Sequence, residues 1–239
     1  MSLFIAGCDG SYSIIIADTK SSYINGYIDD LQRKLYYHGD GIPWVASCGT
    51  TVGYEMYLKL KESQVDDIGD IIKLFKDSYD FELNNGGYST KELNKSAILV
   101  SWITIDSDKP IVRLGYVDNN IDGIMKIENK TITIYPKDVK NTNGDYYECE
   151  DIYFDADFRN VLIKYVEKFI AIKEESNYVS STCCIGFANA FETYYFEDDM
   201  YKMLQLLQQG ETIENKMEQI IKFQQDYDSG KILNDFLDL

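Results

Sequence analysis

The N-terminal segment constrains the fold most, because it contains two apolar runs joined by an Asp-Gly dipeptide. The first run begins at Ser2, the dipeptide is Asp9-Gly10, and the second run extends to Lys20. Asp-Gly accepts the positive φ angles that a tight turn requires, so this pattern predicts a β-hairpin. The chain is therefore expected to begin with a strand.

Ser2 would carry unusual chemistry at the start of such a strand. If Met1 is removed, as is usual before a residue as small as serine, Ser2 holds a hydroxyl and a free α-amine. A free α-amine has a pKa of about 7.7–8.0 and accepts a proton near neutral pH, so Ser2 would be a nucleophile with its own base. The sequence has one histidine, His38, and its surroundings do not predict a Ser-His-Asp triad.

Asp18 and Lys34 would supply the charges that this chemistry needs. Asp18 lies 16 residues after Ser2, and Lys34 lies 16 residues after Asp18. A cation near the nucleophile favours the neutral amine, and a carboxylate holds that cation in place. A predicted strand at Trp44–Cys48 then leads into a glycine turn at Gly49 and a predicted helix.

These residues resemble the proteasome-type N-terminal nucleophile hydrolases, specifically the β-type subunits and their bacterial ATP-dependent peptidase relatives. The resemblance rests on the nucleophile strand, the return strand ending in Ala17-Asp18-Thr19-Lys20, the lysine at Lys34 and the turn at Gly49. It implies an α+β fold, a four-layer αββα sandwich of two antiparallel sheets flanked by helices. The resemblance covers residues 2–60 and, more loosely, residues 158–196.

The resemblance also implies roles for individual residues, with the Gly49 N–H in an oxyanion hole. The implied catalytic positions are Ser2, Asp18, Lys34, Gly49, Asn177 and Ser180. The implied substrate-binding positions are Lys20, Ser22, Ser47 and Thr51. By register, Asn177 stands where the family has an aspartate, and the family's Gly-Ser-Gly turn has no counterpart in residues 137–157.

Three functions remain open on this basis. The first is an amide hydrolase, a peptidase that acts through an acyl-enzyme on Ser2. The second is a catalytically inactive ring or scaffold subunit, and the third is a small-molecule amidohydrolase. The resemblance implies a peptide or small amide substrate and a homo-oligomer, and it leaves an ATPase partner open.

The remaining pattern predicts one domain over residues 1–239, with an extended helical part from about residue 201. Residues 137–156 are predicted to form a solvated loop. Helices are predicted at 52–62, 65–83 and 158–175. Strands are predicted at 97–105, 111–116, 124–128 and 131–135 as one meander, and at 183–187 and 190–196.

Composition limits the partners. The net charge of −17, from 23 basic and 40 acidic residues, disfavours nucleic acid and anionic membranes as partners. No apolar run reaches the ~18 residues of a membrane span. Five cysteines without a CxxC pair indicate reduced thiols in the cytoplasm. No cofactor is predicted, and the acidic residues around Glu148 and Glu150 lack the frame of a metal-binding loop.

Overall fold

A computed structural model describes residues 2–22, 28–29, 34–39, 41–49, 52–63, 65, 67–136, 138–139, 147–152 and 158–209. The strands are β1 (Phe4–Cys8), β2 (Tyr12–Asp18), β3 (Ser21–Ser22), β4 (Ile28–Asp29), β5 (Leu35–Tyr37), β6 (Trp44–Cys48), β7 (Ala97–Asp106), β8 (Lys109–Asp118), β9 (Met125–Lys126), β10 (Lys130–Ile134), β11 (Tyr147–Asp151), β12 (Thr182–Asn189) and β13 (Thr193–Asp199). The helices are α1 (Val52–Glu62), α2 (Ile68–Asn85), α3 (Thr90–Leu93), α4 (Phe158–Glu175) and α5 (Met200–Gln209).

The strands form two main antiparallel sheets. Six strands make one sheet in the order β11-β10-β1-β2-β12-β13, and five make the other in the order β5-β6-β7-β8-β9. The short strands β3 and β4 pair with each other. The prediction of two antiparallel sheets accompanied by helices is confirmed.

The N-terminal hairpin forms as predicted. Gly10 has a φ of 90°, and the Asp9 carboxylate accepts the backbone N–H groups of the next turn residues. Phe4 pairs with Ala17 across the hairpin, so the residues just before β1 lie beside the end of β2. Because β1 is an inner strand of the six-stranded sheet, it is hydrogen-bonded to a neighbouring strand on both sides.

The apolar side chains form three clusters. The first contains residues from both sheets, with Phe4 and Ile15 from one and Trp44 and Leu99 from the other. The second joins the six-stranded sheet to α4 and α5, and the third joins the five-stranded sheet to α1 and α2. Burial of these apolar surfaces supplies the main favourable free energy of folding.

Trp44 joins the two sheets at the centre of the first cluster. Its indole N–H donates to the carbonyl oxygen of Phe187 at 2.9 Å. A Cβ on Gly186 would lie 2.7 Å from Trp44 Cδ2, so glycine leaves room for the indole ring. Buried Ser13 and Ser101 add a second polar contact between the sheets, with 2.6 Å between their hydroxyl oxygens.

Helix boundaries follow local capping. Asp67 caps α2, because its side chain accepts the N–H of Asp70. The short helix α3 was not predicted, although Ser89 and Glu92 form a capping box that the sequence contains. The predicted helices at 52–62 and 158–175 are confirmed with the same bounds, whereas the helix predicted at 65–83 is shifted and spans Ile68–Asn85.

Two predictions about the sheets are wrong. The meander ends at β9, since β10 pairs with β1 in the six-stranded sheet. Residues 147–151, predicted as loop, form the edge strand β11. Glu148 and Glu150 alternate along β11 and both contact Lys168 of α4, at 3.4 Å for Glu148 Oε1, which explains how an acidic segment joins a sheet.

Most of the predicted C-terminal helical part stays a prediction. A helix, α5, runs from Met200 to Gln209, where the helical pattern was predicted to start. Residues 210–239 lie outside the described residues. Within the described ranges, the helices are all too short or too polar to cross a lipid bilayer.

Candidate active site

Asp18 and Lys34 form a buried ion pair. Asp18 is the last residue of β2, and Lys34 lies immediately before β5. Lys34 Nζ is 2.9 Å from Asp18 Oδ1, with side-chain exposures of 7% and 0%. The fold therefore brings together two residues that the sequence analysis selected 16 positions apart.

The Asp18 carboxylate has two further donors, both from the backbone. The Leu3 N–H donates to Oδ1 at 2.9 Å, and the Lys20 N–H donates to Oδ2 at 3.1 Å. Burial raises the pKa of Asp18, and the opposing effects are the charge of Lys34 and these hydrogen bonds. Lys34 Nζ also donates to the Lys20 carbonyl oxygen, so its ammonium is held by two acceptors.

Ser2 lies one residue from a direct contact with this pair. Leu3 exchanges two hydrogen bonds with Asp18, since its carbonyl oxygen accepts the Asp18 N–H at 3.1 Å and its N–H donates to the carboxylate. Ser2 itself is 8% exposed. Leu3, the residue after Ser2, is therefore the described link between the N-terminal segment and the ion pair.

Gly49 makes the turn that follows β6. Its φ is 104°, and a Cβ there would lie 2.5 Å from the Cα of Ser96, so only glycine fits. In the preceding strand, the Ser47 N–H donates to the Lys34 carbonyl oxygen at 3.0 Å. The Ser47 side chain lies against α1, because a Cβ on Gly53 would come within 2.3 Å of its Oγ.

Cys48 is a site neighbour that the sequence analysis did not select. Burial raises the pKa of its thiol to about 11, and the charges of Lys34 and Asp18 also act on it, in opposite directions. The thiol is therefore protonated at neutral pH and is a poor nucleophile. The sequence feature that could have identified Cys48 as a neighbour of the site is its position immediately before Gly49.

Asn177 and Ser180 lie in the connection between α4 and β12. The Asn177 carbonyl oxygen accepts Lys20 Nζ at 3.0 Å, and the Asn177 N–H donates to Asp138 Oδ2 at 3.0 Å. Both contacts use backbone atoms of Asn177. Ser180 Oγ accepts the Thr182 N–H at 3.0 Å, a contact within its own turn.

The remaining predicted site residues are less defined. Ser22 lies in β3 and pairs with Ile28 of β4. Thr51 lies outside the described residues.

Asp138, which contacts Asn177, was not among the predicted site residues, because a single aspartate in a polar segment forms no recognisable motif. Among the described residues, no group of three or more His, Cys, Asp and Glu side chains is placed to hold a metal ion.

Comparisons with known proteins define the class of fold. The chain has a proteasome-like fold. Among solved structures it is similar to Anbu (ancestral beta-subunit) from Yersinia bercovieri, with a TM-score of 0.58 and 11% sequence identity. The match covers 92% of this chain and 95% of that chain. No protein-family model and no curated protein matches the sequence.

Proposed function

We propose that this chain is an N-terminal nucleophile amide hydrolase whose substrates are peptides. The observation that carries the proposal is the buried ion pair of Asp18 and Lys34. Two hydrogen bonds join Asp18 to Leu3, the residue that follows Ser2. A buried ion pair is costly to desolvate, so its position at the N-terminus favours a chemical role.

The proposed reaction begins once removal of Met1 frees the amine of Ser2. The Ser2 hydroxyl oxygen attacks the substrate carbonyl carbon while the α-amine takes the hydroxyl proton. The amine then gives this proton to the leaving nitrogen, the C–N bond breaks, and an ester on Ser2 remains. Water, deprotonated by the same amine, hydrolyses the ester and restores the hydroxyl.

The neighbouring residues would stabilise this chemistry. The Lys34 ammonium favours the neutral form of the Ser2 amine, and Asp18 fixes the ammonium in place. The Gly49 N–H would donate to the oxyanion that forms on the substrate carbonyl. We place Asn177 and Ser180 beside the amine. We place the substrate next to Lys20, Ser22, Ser47 and Thr51.

The proposal extends to architecture and assembly. The three apolar clusters support four layers in the order αββα, because one cluster lies between the sheets and one lies under each helix pair. We propose a single domain over residues 1–239, assembled as a cytoplasmic homo-oligomer. The similarity to Anbu (ancestral beta-subunit) supports assembly. An ATPase partner would fit the same arrangement.

One observation favours a second function, a catalytically inactive ring or scaffold subunit. Asn177 stands where the resembled family has an aspartate, and its described contacts are made by the backbone. An amide cannot supply the negative charge that would orient a terminal amine. A small-molecule amidohydrolase remains the third candidate, and substrate panels separate it from a peptidase.

The test compares the wild-type chain with Ser2→Ala and Ser2→Thr, purified without an N-terminal tag. Alanine is also small, so Met1 removal is preserved, but the nucleophile is lost. We expect Ser2→Ala to reduce hydrolysis of fluorogenic peptide amides to the background rate, and Ser2→Thr to retain activity. Equal hydrolysis by Ser2→Ala and wild type would contradict the proposal. Cleavage of small N-acyl amides alone would favour the third candidate.

A further inference from the structure

We infer that Asp138 is a positioning residue for the pair formed by Asp18 and Lys34, acting through Asn177 and Lys20. Asp138 lies after β10 and outside the residues that the sequence analysis selected. The effect on catalysis rests on the proposed function. The hydrogen-bonded contacts that link Asp138 to Lys20 can be tested by hydrogen exchange, which requires no catalytic activity.

The first link joins Asp138 to the connection after α4. Asp138 Oδ1 accepts the Ser176 hydroxyl at 2.6 Å, and Oδ2 accepts the Asn177 N–H at 3.0 Å. Ser176 is buried, and its Oγ also accepts the Tyr178 N–H at 3.0 Å. Hydrogen bonds to an ionised carboxylate are stronger than neutral ones, so the two oxygens fix the start of this connection.

The second link joins the connection to the residues after β2. The Asn177 carbonyl oxygen accepts Lys20 Nζ at 3.0 Å. Next to it, the Thr182 carbonyl oxygen accepts both the N–H and the hydroxyl of Thr19, at 3.4 and 3.2 Å. The connection and the first residue of β12 therefore hold the residues after β2 at two points, and Asp138 stabilises the point that carries Lys20.

The third link joins Lys20 to both members of the ion pair. Its backbone N–H donates to Asp18 Oδ2 at 3.1 Å, and its carbonyl oxygen accepts Lys34 Nζ. A shift of Lys20 would therefore remove one donor from Asp18 and one acceptor from Lys34. The position of the Lys34 ammonium therefore depends on Lys20 as well as on Asp18.

Asp138 is suited to mutation because its side chain is exposed. Substitution of an exposed residue rarely unfolds a protein, so an effect on the site can be separated from global destabilisation. Asp122 offers a matched control. It is also an exposed aspartate, and its carboxylate oxygen is 3.7 Å from Lys76 Nζ in a surface ion pair.

The first experiment measures amide hydrogen exchange in Asp138→Ala, Asp138→Asn and Asp122→Ala. We expect the Lys20 N–H to exchange about tenfold faster in Asp138→Ala than in wild type, because its local structure opens more often. Asp138→Asn keeps one acceptor oxygen and should show a smaller increase. The Val112 N–H, which donates to Gly10 at the other end of the hairpin, should be unchanged. Asp122→Ala should match wild type at both positions.

The second experiment measures hydrolysis of a fluorogenic peptide amide. Misplaced catalytic groups lower turnover more than binding, so kcat of Asp138→Ala should fall by about tenfold to a hundredfold with little change in KM. Unchanged Lys20 exchange, or faster exchange with unchanged kcat, would overturn the inference. A wild-type chain that hydrolyses nothing would contradict the proposed function, and the exchange result would still decide whether Asp138 holds Lys20.

Discussion

Lys34 Nζ lies 2.9 Å from Asp18 Oδ1, and the two side chains are almost completely removed from water. Their attraction is strong because the surroundings are apolar, but desolvation of both charges opposes it. The Asp18 carboxylate also accepts the N–H groups of Leu3 and Lys20. The pair is thus a fixed charge arrangement at the start of the chain, and its removal has calculable consequences.

We expect Lys34→Met to lower the free energy of unfolding by about 3–5 kcal/mol at pH 7. The substitution leaves the Asp18 carboxylate buried without its cation, which is the costly half of a broken ion pair. The double variant Asp18→Asn/Lys34→Met removes both charges and should recover most of this stability. Urea unfolding of wild type and the two variants measures the difference. A double variant less stable than Lys34→Met would contradict this explanation.

The Lys34→Met defect should depend on pH. Burial raises the pKa of Asp18, and loss of Lys34 removes an interaction that lowers it. The native state of the variant then binds more protons than the unfolded state, whose aspartates titrate near pH 3.9, so stability falls as pH rises above about 4. We expect a smaller defect at pH 5 than at pH 8. The same urea series at both pH values tests this, and an equal defect would exclude a buried Asp18 charge.

We also expect alkaline destabilisation from buried thiols. Burial raises the pKa of Cys8 and of Cys48 from 9.0 to about 11. The unfolded state loses these protons first, so stability falls between pH 9 and pH 11, by at most about 2–3 kcal/mol for each thiol. Cys48→Ala should flatten this decrease in thermal unfolding scans more than Cys149→Ala does, because the pKa of the exposed Cys149 thiol is raised by a less complete burial. An unchanged pH dependence in Cys48→Ala would contradict the assignment.

Local sequence signals predicted much of the fold. The Asp9-Gly10 turn defined the first hairpin, and helical periodicity gave α1 and α4 with their observed bounds. In the site, the need for a carboxylate and a cation, together with the family resemblance, led to Asp18 and Lys34, which the fold brings into contact. The turn and the two helices were predictable because each depends on neighbours in sequence, whereas the choice of Asp18 and Lys34, which lie at or beside the ends of strands in different sheets, rested on the resemblance.

Features that depend on distant partners were not predictable from the same signals. The pattern of β10 identifies a strand but not its partner, and the sheet exchange after β9 therefore differs from the predicted meander. The acidic strand β11 depends on Lys168 of α4. The role proposed for Asp138 depends on its contacts with Ser176 and Asn177, which lie 38 and 39 positions later in the chain, so no local pattern identifies it.

Gly49→Ala tests the turn after β6. The added Cβ would meet the Ser96 backbone at 2.5 Å, and φ is 104°, so we expect a loss of about 1–3 kcal/mol in unfolding free energy and a large loss of hydrolysis. Gly87→Ala is the control, because Gly87 has a φ of 72° with nothing within 4 Å of the added Cβ. It should cost about 1 kcal/mol and leave hydrolysis unchanged. Chemical unfolding and rate measurements on both variants decide this, and equal rates in the two variants would contradict a role for the Gly49 turn.

Assembly should depend on salt. The net charge of −17 per chain makes copies repel one another, and salt screens this repulsion over about 10 Å at 0.1 M. We expect a homo-oligomer whose mass by light scattering rises from low to moderate salt. A strict monomer at every protein and salt concentration would contradict the proposed assembly and would favour a small-molecule amidohydrolase.

The most direct test of the central claim is the intact mass of the untagged protein after reaction with a peptide β-lactone, an electrophile that acylates activated hydroxyls. The account predicts a chain that lacks Met1 and carries one acyl group, mapped by peptide fragmentation to Ser2. It also predicts no adduct on Ser2→Ala. A chain that retains Met1, or that carries no acyl group at Ser2, would contradict the proposed N-terminal nucleophile.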